Sequence, residues 1–70
     1  MYKRLKMLRI KNKLTQKDIS IYLEISQTLY SHYELGKKEI PISHLSKLAK
    51  FYNTSIDFIV EDTDEIRPYK

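Results

Sequence analysis

The 70-residue chain contains no cysteine. That excludes a disulfide framework, a cysteine metal site and a thiol nucleophile, and it fits a reducing compartment. Long hydrophobic runs are missing as well. No unbroken apolar stretch exceeds the length of Phe58-Ile59-Val60, whereas a bilayer-spanning helix needs roughly 20 apolar residues. Lys3, Arg4 and Lys6 open the chain as a signal peptide would, but Arg9, Lys11 and Lys13 interrupt any hydrophobic region after them. A soluble, cytoplasmic protein with no membrane partner is expected. Glycine occurs once, at Gly36, and proline twice, at Pro41 and Pro68. No low-complexity linker or internal repeat is present, and no stretch alternates with the period of a strand.

Missing chemistry narrows the function further. The two histidines, His32 and His44, have no companions at metal-ligand spacing. The acidic run from Glu61 to Glu65 has no glycine at the offset of a calcium-binding loop. No nucleophile, base and orienting residue come together in the pattern, so neither an enzyme nor a metal or other cofactor is expected.

What the chain does have is an uneven distribution of charge. Residues 1–38 carry nine Lys or Arg and three acids, a net of +6; residues 39–70 carry four and six, a net of −2. A basic front half is the electrostatic footprint of a polyanion binder, although a solvated helix surface would also account for it.

Helical spacing accounts for the apolar residues. Leu5 and Leu8 lie three apart in a segment from about Tyr2 to Asn12, and Leu14 follows as an apolar plug. Thr15 is an N-cap candidate, with Asp18 three residues on completing a capping box. Ile19, Tyr22 and Leu23 supply the inner face of a second helix. Glu24-Ile25-Ser26 is a turn, and Ser26 caps a third helix whose large apolar residues are Leu29, Tyr30 and Tyr33. Gly36 stands where a helix end takes the left-handed conformation. Residues 37–41 form a loop, and Pro41 favours a new helix start. Leu45, Leu48, Ala49 and Tyr52 make a buried stripe. Thr54 or Ser55 caps a last short helix carrying Ile56 and Ile59. The expected architecture is all-α, a compact bundle of five short helices over residues 1–60, followed by a mobile acidic tail at 61–70. Helices two and three are joined by about three residues, the spacing of a helix-turn-helix.

The runs Leu14-Thr15-Gln16-Lys17-Asp18-Ile19, Ile25-Ser26-Gln27 and Tyr33-Glu34-Leu35-Gly36-Lys37-Lys38-Glu39-Ile40-Pro41 closely resemble the lambda-repressor-like (Cro/cI, XRE-type) helix-turn-helix family. Residues 45–57 resemble its last two helices, so the likeness covers about residues 4 to 60. Several motifs match in order and spacing, which a lone Leu-Thr-Gln would not. The resemblance implies a five-helix DNA-binding domain that places its third helix in the major groove.

It also implies roles for particular residues. Gln27, Thr28 and His32 match positions that face base edges. Gln is suited to the N6 and N7 edge of adenine, and Thr to a base or a thymine methyl. Gln16 matches a residue that holds a phosphate and braces the other glutamine. Lys17, Lys37 and Lys38 match backbone-contacting positions, which set affinity and register rather than sequence preference. Tyr30 and Tyr33 match residues packed inward, so they are read as core and not as a stacking platform. Arg9 and Glu34 match a pair that ties the first helix to the end of the third, a contact that favours arginine over lysine. Two departures stand out. Leu29 replaces a small polar residue, and Glu24 occupies a turn position where the family prefers glycine, which implies positive φ at Glu24.

The implied function is a repressor-like transcriptional regulator. Its partner would be double-stranded DNA, bound by a homodimer on a near-palindromic operator. At this length no separate sensor domain is expected. Ten of the 13 basic residues are lysine, a bias that AT-rich codons produce and that points to a bacterial or phage genome. The alternative is a protein-binding antitoxin or adaptor that uses the same fold.

Overall fold

The capping and spacing signals translate into five helices in the computed structural model, which describes residues 2–61 and Ile66. No strand occurs among the described residues. The helices are α1 (Lys3–Lys11), α2 (Gln16–Leu23), α3 (Gln27–Leu35), α4 (Ile42–Phe51) and α5 (Ile56–Ile59). The chain divides into two compact units, Met1–Glu39 and Ile40–Lys70. Apart from Glu61 and Ile66, the expected mobile tail lies outside the described residues.

In the first unit, Leu5 and Leu8 of α1, Ile19 and Leu23 of α2, and Tyr30 and Tyr33 of α3 are buried. Tyr30 and Tyr33 meet edge to face, their ring centroids 6.5 Å apart. Both tyrosines are core residues, as their spacing predicts. Tyr22 is not: it remains 39% exposed. A helix of eight residues has room for one narrow buried face, and Ile19 and Leu23, four apart, occupy it.

Both helix starts in this unit are side-chain capped. At α2 the Asp18 amide donates to Thr15 Oγ1 (3.1 Å) and the Thr15 amide donates to an Asp18 carboxylate oxygen (2.8 Å), the expected capping box. These two bonds with Thr15, backbone first and side chain second, hold the Asp18 carboxyl below its usual value. At α3 the Leu29 amide donates to Ser26 Oγ (3.0 Å).

The helix ends share one device. Lys13, Glu24, Gly36 and Asn53 all have positive φ, at 58°, 58°, 75° and 53°. After each of them, the next amide reaches the carbonyl five residues back: Leu14 to Arg9 (3.0 Å), Ile25 to Ser20 (2.9 Å), Lys37 to His32 (2.9 Å) and Thr54 to Ala49 (2.8 Å). This is the Schellman closure, which satisfies carbonyls that the end of a helix leaves without a partner. Positive φ at Glu24 agrees with the expectation. Lys13 adopts the same conformation with no sequence signal for it.

In the second unit, Pro41 precedes α4, and Leu45, Leu48 and Ala49 form its buried stripe. Tyr52 ends that stripe half-buried and meets Phe51 edge to face at 5.0 Å. Of the two candidate caps for α5, Ser55 is the one used, accepting from the Phe58 amide at 3.0 Å. Thr54 instead donates its hydroxyl to the Ile66 carbonyl. Ile59 is buried as expected, but its partner on α5 is Phe58, while Ile56 is only half-buried.

Candidate nucleic-acid interface

The first residue of α2 is Gln16, and the first residue of α3 is Gln27. Both side chains therefore stand at helix N-termini, where free amide N–H groups and the positive end of the helix dipole favour anions. Two further residues follow from the periodicity of α3. Thr28 and His32 are four apart, and Gln27 and Ser31 are four apart, so all four share one side of the helix. Gln16, Gln27, Thr28, Ser31 and His32 together line a single open concavity of polar character. Ser31 was not among the residues singled out by resemblance, but its spacing from Gln27 marks it.

Around this concavity the surface is cationic. Lys17 is exposed in the first turn of α2. Lys37 and Lys38 are exposed directly after Gly36. The Lys37 backbone is fixed by its amide bond to His32, so the lysine pair starts from a rigid helix end. Leu29 is half-buried and does not line the concavity.

Arg9 and Glu34 lie behind the concavity. Arg9 Nε donates to Glu34 Oε2 at 2.7 Å and Nη2 donates to Oε1 at 3.3 Å, a two-pronged contact. Arg9 Nη1 donates to the Leu14 carbonyl at 3.0 Å, anchoring the guanidinium to the segment between α1 and α2. The Glu34 side chain is 3% exposed. Burial pushes its carboxyl up, but hydrogen bonds from Arg9, Tyr30 and Gln16, and the charge of Arg9, outweigh burial and hold it below its usual value. Gln16 Nε2 donates to Glu34 Oε1 at 3.2 Å. The sequence offered no signal for this bond, because Gln16 and Glu34 are 18 positions apart and only the packing of α2 against α3 brings them together.

Among the described residues no group of His, Asp or Glu is placed to hold a metal ion. Nor is any of their helices long and apolar enough to cross a membrane.

Residues 5–59 match the protein family described as Helix-turn-helix. Among curated proteins, the chain is similar to one from Bacillus subtilis (strain 168) named Uncharacterized HTH-type transcriptional regulator YobD. The two are 35% identical over 65 residues, which make up 93% of this chain and 58% of that relative. The chain therefore matches little more than half the length of that protein. No solved structure gives a significant match.

Proposed function

The chain belongs to the lambda-repressor-like (XRE-type) helix-turn-helix DNA-binding family, and from that premise we propose that it is a sequence-specific, repressor-like transcriptional regulator that reads duplex DNA with α3 in the major groove. The observation that carries the proposal is the shared concavity of Gln16, Gln27, Thr28, Ser31 and His32 at the starts of α2 and α3. Gln27, Thr28 and His32 contact base edges. Gln16, Lys17, Lys37 and Lys38 contact the sugar-phosphate backbone. Arg9 and Glu34 support α3 from behind and touch no DNA. Hydrogen-bonding side chains on a rigid helix suit base edges, and lysines at its margins suit phosphates. One such helix covers a short half-site, so the protein acts as a homodimer on a near-palindromic operator. It works in the cytoplasm of a bacterial cell, without a cofactor or a catalytic step.

A second reading, as a protein-binding adaptor or antitoxin, draws support from one feature. Met7, Ile10 and Leu35 are exposed apolar residues that line a cleft in the first unit, a surface that would suit a protein partner. Selection of bound sites from random duplex DNA separates the two. The major-groove reading requires a defined half-site repeated with inverted symmetry; the adaptor reading gives no enrichment. On the selected duplex, four phosphate contacts per protomer give a dimer a slope of about −6 to −8 in log affinity against log salt. A slope near zero is incompatible with docking in the groove.

A further inference from the structure

Glu34 accepts from three directions. Arg9 reaches both of its oxygens, Tyr30 bonds to the carboxylate, and Gln16 Nε2 lies 3.2 Å from Oε1. An ionised carboxylate can only accept hydrogen bonds. The side-chain amide of Gln16 has an NH2 end that donates and an oxygen end that accepts. Only the NH2 end can face Glu34, so the chemistry of the pair, and not merely the placement of atoms, sets the direction of the amide. Gln16 Oε1 is the end that remains for other partners.

We propose that Glu34 is a positioning residue for base readout: by holding Gln16 Nε2 it fixes the Gln16 amide so that Oε1 serves as an acceptor in the concavity shared with Gln27. The proposal rests on the major-groove reading above and specifies how its specificity is set. An acceptor at Gln16 favours the orientation of Gln27 in which its NH2 turns towards Gln16. One N–H of Gln27 is then used internally. The second N–H and the Gln27 oxygen remain as a donor and acceptor pair, the combination that fits N7 and N6 of adenine. A reversed Gln16 amide would present N–H groups and oppose that orientation. Arg9 holds Glu34 from α1 and is itself anchored on the Leu14 carbonyl, so the direction of the Gln16 amide depends on packing far from any base.

The test is a double-mutant cycle on the selected duplex, with Glu34→Gln, Gln16→Ala and the pair, all confirmed by thermal melting to be folded at the assay temperature. Glu34→Gln is expected to lower affinity and adenine preference about tenfold when Gln16 is present, and twofold or less in the Gln16→Ala background. Equal losses in both backgrounds would reduce Glu34 to a purely structural role and overturn the proposal. A second measurement needs neither DNA nor a variant. In an acid titration of the free wild-type protein followed by NMR, the Gln16 side-chain amide protons must shift in step with the Glu34 carboxyl carbon; independent shifts overturn the proposal even if Glu34→Gln fails to fold. A wild-type protein that selects no duplex overturns the major-groove reading itself, an outcome the NMR titration distinguishes because it is read without DNA.

Discussion

Met1–Glu39 and Ile40–Lys70 bury different kinds of group. The first unit encloses a charged pair, Arg9 and Glu34, with Gln16 and Tyr30 bonded to the same carboxylate. The second relies on Leu45, Leu48, Ala49, Phe58 and Ile59, and its buried polar residues are the small hydroxyl side chains of Thr54 and Ser55. An apolar contact holds helices together without regard to direction. A hydrogen-bonded carboxylate fixes which atom of a neighbour points where. The directional network occurs in the unit that carries the candidate interface, where orientation has a functional consequence. In the other unit, hydrophobic burial suffices.

The largest expected effects come from the two kinds of core. Leu48, fully buried in α4, should cost about 2–5 kcal/mol when truncated to alanine. Glu34→Ala, which leaves Arg9 without its buried partner, should cost about 3–5 kcal/mol. Denaturant unfolding gives both values, and pH separates them. The folded Glu34 carboxyl lies below its ordinary value of 4.5. A depressed carboxyl adds stability that is complete above its unfolded pKa and is lost as pH falls through the folded one. The advantage of wild type over Glu34→Gln should therefore be greatest above pH 4.5 and shrink in stronger acid. The deficit of Leu48→Ala should not follow that curve. Parallel curves would mean that Glu34 contributes packing alone.

A smaller effect concerns the interface. Gln27→Ala should cost about 1–3 kcal/mol on the preferred duplex and little on random DNA. Lys37→Ala should weaken both equally and reduce the salt slope by about one. Competition binding on the two duplexes measures each. An equal loss on both duplexes for Gln27→Ala would make Gln27 a phosphate contact.

The smallest effect lies at the turn between α2 and α3. Glu24 and Gly36 close their helices in the same left-handed conformation, but only Glu24 carries a Cβ. That Cβ costs roughly 1 kcal/mol or more, and glycine returns part of the gain as backbone entropy. Glu24→Gly should therefore raise stability by about 0.3–1 kcal/mol and leave DNA affinity unchanged, since Glu24 does not line the concavity. A lower melting temperature in Glu24→Gly would show that the glutamate side chain makes a stabilising contact of its own.

Signals that act over three or four residues were legible in the sequence by itself. The Thr15–Asp18 capping box, the Ser26 cap, the left-handed Gly36 and the stripe of Leu45, Leu48 and Ala49 all formed as their spacing predicts. They depend on backbone groups that neighbouring side chains reach whatever the rest of the chain does. The repeated family motifs likewise marked Glu24 as left-handed. Choices between near-equivalent residues were decided by tertiary packing. Ser55 caps α5 while Thr54 bonds to Ile66, Phe58 is buried in preference to Ile56, and Tyr22 stays exposed beside Ile19 and Leu23. Each outcome depends on which surface of a short helix is covered, and helical periodicity leaves that open to within a residue or two. The bond from Gln16 to Glu34 belongs with these: its partners are distant in sequence, and only the approach of α2 to α3 brings an amide within reach of a buried carboxylate.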